Sequence, residues 1–253
     1  MYSSSLRLSK SQISGLKKRG LFEYVAKDLA TKIFAGEVKP GGKLSTEHQL
    51  CEEFGVSRTV IRDALRILKS KGLIESRPHS GTIVRSVEHW NFLDSEMISW
   101  ARDMEDREGF FDMLMEARFV LEPQVVEIAA LKATDAEIER LDKACTAMET
   151  AADAVPQDLK GFNDADIDFH LTMLDATHNL ILRQFGDVIK VALQASFEIA
   201  LTEAELSMDS VHAHRSMAEA VRNRDPKAAR RGMEIVSSIL IERIGRGRDV
   251  AKD

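Results

Sequence analysis

At 253 residues, with 44% apolar and 30% charged side chains, the chain is long enough for one large or two ordinary globular domains and too apolar to be disordered. Its two cysteines, Cys51 and Cys145, lie far apart, which argues against a disulfide framework or a cysteine-based zinc site and suits a reducing cytoplasm. The net charge of -6 joins two unlike parts: residues 1–86 carry 16 Lys/Arg against 8 Asp/Glu, and the rest 19 against 33, so the first third should meet a polyanion.

Residues 1–20 are rich in Ser, Lys and Arg and should form a flexible basic arm; no apolar stretch follows that would make a signal peptide. From Leu21 the repeat Leu21, Val25, Leu29, Ile33 predicts an amphipathic helix that stops at Gly36. Thr46 is a natural N-cap for a short helix over Glu47–Phe54, which Gly55 ends. Ser57 then opens a third helix running to Gly72, with Val60, Ile61, Ala64, Leu65 and Leu68 as its apolar stripe. Two short helices around a tight glycine-containing turn match a helix-turn-helix, whose second helix enters the major groove of double-stranded DNA. In "LIESRPHSGTIVRS" two extended runs, 73–76 and 82–85, flank Pro78 and Gly81 and predict a β-hairpin wing.

Arg58, Arg62, Arg66 and Lys69 recur at four- and three-residue steps along the exposed side of the third helix. Arg58 and Thr59 open it, where a recognition helix meets base edges and phosphates. A merely solvated basic face would account for that helix but not for the helices before it, the wing after it and the regional charge. "GGKLSTEHQLCEEFGVSRTVIRDALRILKSKGLIESRPHSGTIV" resembles the winged helix-turn-helix of the GntR family of bacterial transcription regulators over about residues 21–86. The resemblance implies DNA contacts from His48, Arg58, Arg62 and the wing residues His79 and Gly81. His48 stands where the family often has arginine; a shorter, mostly neutral imidazole should alter base preference more than affinity.

After a linker over 87–93, helical periodicity runs through 94–248 with no alternating strand, so the fold class is mainly α: a winged helix-turn-helix followed by an all-helical domain, which the resemblance to such regulators implies is the effector-binding and dimerisation domain. Predicted helices cover 94–104, 108–131, 135–152, 159–177, 180–206, 211–223 and 225–245, with Thr134 and Asn179 as N-caps. No run is long and apolar enough for a membrane, since "VALQASFEIAL" carries Gln194, Ser196 and Glu198. Arg118 lies within the stripe Phe111, Leu114, Leu121, Val125, Ile128. Asp166 and His170 border Ile167, Leu171 and Leu174, and His214 falls between Val211, Ala218 and Val221. Any one of these alone reads as a hydrogen-bonded core residue. Buried separately and unpaired, each would cost several kcal/mol. Together they make a site, because His and carboxylate hold a divalent metal such as zinc and Arg grips a carboxylate bidentately.

The bundle is similar to the FCD domain of the FadR subfamily of GntR regulators. That resemblance implies Asp166, His170 and His214 as metal ligands, with a fourth ligand due at about Val236, where it is missing. "HWNFLDSEMISW", "EARFVLEP" and "FNDADIDFH" are further similar to the galactonate-operon group, which responds to sugar acids. In that case Arg118 pairs with the effector carboxylate, while Asp166, Asn163 and a bound metal or water read its hydroxyls, beside His170 and His214. The expectation is a homodimeric cytoplasmic regulator, a repressor of a catabolic operon, released from a pseudo-palindromic operator by a small carboxylate such as a sugar acid. The alternatives are a metal-dependent hydrolase using Asp166, His170 and His214 with Glu122 or Asp164 as base, and a sequence-tolerant architectural DNA binder. No HExxH, phosphate loop or nucleophile elbow supports the hydrolase.

Overall fold

The structure, a computed structural model, describes residues 18–101, 107–200, 206 and 208–250; the basic arm expected over 1–20 lies, up to residue 17, outside them. The chain divides into two compact units, Met1–Arg107 and Glu108–Asp253.

In the first unit α1 (Lys18–Phe34), α2 (Glu47–Phe54) and α3 (Arg58–Ser70) precede the hairpin β1 (Ile74–Arg77) and β2 (Gly81–Val84), then a 3-10 turn (Val87–His89) and α4 (Ser95–Ala101). Val25, Leu29 and Ile33 are buried, as their spacing predicts. Thr46 and Gln49 cap α2 reciprocally: the Thr46 hydroxyl accepts from the Gln49 amide at 3.3 Å and Gln49 Oε1 accepts from the Thr46 amide at 2.9 Å. Gly55, at φ 65°, ends α2 in the left-handed region. Ser57 has extended backbone at the start of α3, but its hydroxyl makes no capping bond. The wing pairs Ile74 with Val84 and Arg77 with Gly81, one residue from the predicted runs, and Lys43 bridges to Ile83 alongside it.

The segment after the wing is built onto this unit. Gly72 has φ +78°, and a Cβ there would stand 2.1 Å from the His89 carbonyl oxygen, so only glycine allows the approach. Trp90 packs edge-on against Phe34, with ring centroids 5.4 Å apart, and donates its indole N–H to the Arg85 carbonyl at 3.0 Å. The buried Lys71 ammonium pairs with Asp94 and with Glu96 (2.9 Å) and lies 5.1 Å from the Trp100 ring centroid. Of the helix expected over 94–104, residues 95–101 are helical, Asp94 stands at a bend just before them, and 102–104 lie outside the described residues.

In the second unit α5 (Arg107–Lys132), α6 (Asp135–Asp153), α7 (Leu159–Ala176), α8 (Leu180–Arg183), α9 (Gly186–Ala200), α10 (Met208–Arg222) and α11 (Pro226–Val250) surround one core, with Val126, Leu141, Met148, Phe169, Met173, Leu193, Met217 and Met233 at its centre. Thr134 and Glu137 form the capping box of α6, and Asn179 caps α8. The single helix expected over 180–206 is instead broken at Gln184 and Phe185. Asn179 starts a one-turn helix, and Gly186, whose Cβ would stand 3.4 Å from Leu171, opens a new one against α7. Residues 201–205 lie outside the described residues. Asp225 caps α11, accepting from the Ala228 amide at 2.9 Å, with Pro226 as its first residue. At Gly232 a Cβ would meet Met217 Cβ at 3.0 Å, so α10 and α11 pack backbone to side chain there. Among the described residues no helix is long and apolar enough to cross a membrane.

Candidate functional site

On the first unit, Arg58, Thr59 and Arg62 are exposed on the first turns of α3, while His48 is exposed on α2. His79 and Gly81 sit at the wing tip, both with positive φ, 62° and 86°. The sequence reading missed Glu47. Its carboxylate accepts from Arg62 Nε at 3.0 Å and stands 3.9 Å from Arg58 Nε. Glu47 lies in the first turn of α2, where a carboxylate reads simply as a favourable helix-dipole partner, so nothing in the spacing points to its second role. His48 faces Glu52 at 3.5 Å, and Arg66 pairs with Asp63 at 3.1 Å.

On the second unit, α7 carries Asp166 and His170 one turn apart and α10 brings His214 to them. His214 Nε2 is 3.1 Å from Asp166 Oδ1 and 3.4 Å from His170 Nε2, and His170 Nε2 is 3.6 Å from Asp166 Oδ1. Donors about 2.0–2.1 Å from one ion at the tetrahedral angle stand about 3.3 Å apart, so these separations suit three ligands of a single metal. The far ring nitrogens are engaged as metal-bound histidines require: His214 Nδ1 donates to the Ser210 carbonyl at 2.7 Å, and His170 Nδ1 faces Glu122 Oε1 at 2.6 Å. The latter pair is close but out of line for a hydrogen bond, so its attraction is chiefly Coulombic. At the fourth family position Val236 is buried and offers no ligand atom.

Arg118 is buried at 3% exposure, donating Nε to Glu122 Oε2 at 2.6 Å and turning Nη2 to His170 Nε2 at 3.2 Å. Glu122 is the residue of this site to which the sequence reading gave the wrong part, as a hydrolase base. Four residues from Arg118 on a helix, it reads as an ordinary ion pair. Burial pushes the Glu122 carboxyl up, but Arg118 and His170 outweigh it and hold it below the ordinary value. Burial likewise opposes the Asp166 charge, and the facing His170 and His214 rings take that carboxyl well below the usual carboxylate range. For His170 burial lowers the pKa, but Glu122 and Asp166 together carry it up to about 9. When the ring is neutral, a proton on Nδ1 beside Glu122 leaves Nε2 to accept from Arg118, which is also the tautomer that presents Nε2 to a metal.

Beside the trio lies a cavity of about 60 Å³, lined by Arg118, Asp166, His214 and, from α11, Arg243, opposite an apolar wall that includes Phe162, Leu193, Phe197, Val236 and Leu240. Arg243 continues the inward steps Met233, Val236, Leu240 by three residues, a signal present in the sequence but obscured by the arginine-rich end of α11. Asn163 is not among the lining residues; its buried Oδ1 has no hydrogen-bond partner. Asp164, the other base considered for a hydrolase, is on the surface and paired with Lys160.

Residues 21–84 match the model of bacterial regulatory proteins of the gntR family, and residues 113–236 match the FCD domain. The chain is 32% identical over 202 residues to the galactonate operon transcriptional repressor of Escherichia coli (strain K12), covering 79% of this chain and 86% of that one. It is 29% identical over 222 residues to the uncharacterized HTH-type transcriptional regulator YieP of the same organism, covering 88% and 94%. In fold it is similar to Lar, which controls expression of the Listeria monocytogenes agr system, with TM-score 0.58 and 20% identity over 89% of this chain and 97% of that one. These relatives are transcription regulators, and nothing among them supports the hydrolase reading. The chain belongs to the GntR family of DNA-binding transcription regulators, in the FadR-like group whose helical unit is an FCD domain.

Proposed function

We propose that this regulator is a homodimeric repressor of a catabolic operon, released from a pseudo-palindromic operator by a small carboxylate bound in the second unit. The observation that carries this reading is the cluster of Asp166, His170 and His214, with Asp166, His214 and Arg118 lining one cavity, in a chain that also bears a winged helix-turn-helix. Lys and Arg contacts to phosphate supply most of the DNA affinity, and Arg58, Thr59 and Arg62 on α3, His48 on α2 and the wing tip His79–Gly81 supply register and base preference. The relative named for the galactonate operon puts sugar acids among the candidate effectors.

In the effector site Asp166, His170 and His214 would hold a divalent ion such as zinc, which would act as a Lewis acid toward a bound carboxylate oxygen. Val236 in place of a fourth ligand leaves a position for water or effector and lowers metal affinity. Arg118, already screened by Glu122, orients the carboxylate rather than adding an uncompensated charge. Effector binding can shift the operator equilibrium only by its differential affinity for the two forms, typically about 1–3 kcal/mol, or roughly 5–150-fold.

The test is a thermal-shift screen of small carboxylates with and without chelator, then operator affinity for each hit, the operator being obtained by binding-site selection from random duplex. A stabilising carboxylate should weaken operator binding at least fivefold, and Arg118→Gln should abolish both effects. Operator affinity indifferent to every carboxylate that stabilises the protein would rule the mechanism out.

A further inference from the structure

We infer that Lys43, a residue outside the hairpin, anchors the wing on the DNA phosphate backbone in place of the wing's own arginines; this rests on the DNA-facing wing proposed above and assigns the contact that fixes it. Residues 41–44 run antiparallel to β2 as a short third edge of the sheet. The Leu44 amide donates to the Thr82 carbonyl, the Val84 amide to the Gly42 carbonyl and the Gly41 amide to the Val84 carbonyl, each at 2.9 Å. Lys43 bridges to Ile83, and Ile83 pairs with Glu75, so these three side chains share one face, with Arg77 and Gly81 two residues along on the same side. Leu44, Ile74 and Val84, which alternate with them, are buried, and that leaves the Lys43 face to solvent.

The cations of this face are not equally available. Glu75 holds Arg77 at 2.6 Å and faces the half-buried Arg85 at 3.9 Å, so one carboxylate screens both of the wing's arginines. Lys43 is exposed, and its ammonium has no ion pair or hydrogen bond among the described residues. A phosphate approaching the wing therefore meets one uncompensated charge, and it comes from the segment before α2.

The course of the side chain puts that charge at the tip. Lys43 Cε, one bond short of the ammonium, lies 3.5 Å from where a Cβ of Gly81 would stand. The glycine thus has a second use beside its positive φ: it leaves the diagonal between the strands open for the lysine stem. Glu47, only four residues on and at most about 13 Å away along the chain, holds Arg62 of α3 at 3.0 Å. Lys43 therefore stands between the wing tip and the arginines of the recognition helix, and a contact there fixes the wing relative to α3.

Fluorescence anisotropy of the full chain across a salt series, with a selected operator duplex and a random one, tests this. Lys43→Gln should flatten the log–log slope on both duplexes by about 0.9, the share of one phosphate, which carried down from 1 M is about a fivefold loss at about 0.15 M salt. The ratio of operator to random binding should stay within about twofold, because a phosphate contact carries no sequence, and Lys43→Arg should restore the slope. Arg77→Gln, already screened by Glu75, should change the slope by less than about half as much. His79→Asp keeps a residue that tolerates the left-handed backbone and brings an anion to the tip, so it weakens binding wherever the wing meets DNA. An unchanged slope in Lys43→Gln beside weaker binding by His79→Asp would overturn the anchor and leave the DNA-facing wing standing. Equal flattening in Arg77→Gln would overturn the choice of Lys43 over the wing's own arginines. Lys43→Gln and His79→Asp both binding like the wild type would remove the DNA-facing wing and this inference with it.

Discussion

Glu47 ties two arginines of the recognition helix into one cluster: its carboxylate holds Arg62 at 3.0 Å and faces Arg58 at 3.9 Å. Both arginines are well exposed and Glu47 is only partly buried, so the pairing contributes little to stability. Its effect falls on recognition, because an anion beside the phosphate backbone opposes indiscriminate binding and holds the guanidinium groups in one geometry. Glu47→Gln should therefore raise affinity for random duplex a few-fold while lowering the ratio of operator to random binding. Fluorescence anisotropy across a salt series reads both, with a log–log slope steeper by up to about 0.9 for each additional phosphate neutralised. Unchanged random-duplex affinity would show that Glu47 exerts no such restraint. His48→Arg adds a cation on the neighbouring position and should steepen the same slope by about the amount due to one phosphate.

Gly72 and Gly55 separate two reasons for a glycine at an element's end. Both have positive φ, but a Cβ at Gly55 meets nothing within 4 Å, whereas at Gly72 it would overlap the His89 carbonyl oxygen at 2.1 Å. Gly55→Ala should cost about 1 kcal/mol of left-handed strain, and Gly72→Ala about 2–4 kcal/mol, because α3, the 3-10 turn and Trp90 must move apart. Urea unfolding followed by tryptophan emission ranks the two; equal losses would refute the close-approach argument. The same contrast explains what the sequence made legible. Caps at Thr46, Thr134 and Asn179 and the 3.6-residue stripes are local, so the wing and the capped helix starts fall within a residue or two of expectation, while ends without such signals, Lys18, Met208 and Val250, run three to five residues beyond it. The break at Gln184–Phe185 is set by packing of Gly186 against Leu171, while the apolar pattern runs on through it. Asp166, His170 and His214 were legible because three inward polar residues on two helices demand one another. Glu122 and Arg243 were not, because an i,i+4 ion pair and a basic helix end have ordinary explanations that only the approach of Glu122 to His170 and the place of Arg243 in the cavity wall displace.

The charge asymmetry and the placement of the two tryptophans allow acid stability to be read for one unit alone. Trp90 and Trp100, the chain's only tryptophans, both belong to the first unit, so emission follows that unit while far-UV dichroism follows the helices of both. In that unit the Lys71 ammonium is buried against Asp94 and Glu96. Partial burial raises the Asp94 pKa, but hydrogen bonds from Lys71 and the Met97 amide outweigh it and leave the carboxyl below its ordinary 3.8. A carboxyl whose folded pKa is depressed adds stability that is present above the unfolded value and is lost as pH falls through the folded one. The ion pair therefore supports the first unit at neutral pH, and that support is lost progressively as the pH falls below the ordinary 3.8 of Asp94, where a buried Lys71 loses its counter-charge. Lys71→Met removes the cation but keeps an apolar stem of similar length over Trp100. At pH 7 the variant should unfold at lower urea than the wild type by tryptophan emission, and at pH 2, below the ordinary carboxylate value, the difference should narrow or reverse. A difference of the same size at both pH values would mean that packing of the Lys71 stem, and not its charge, fastens the segment through α4 onto the winged unit.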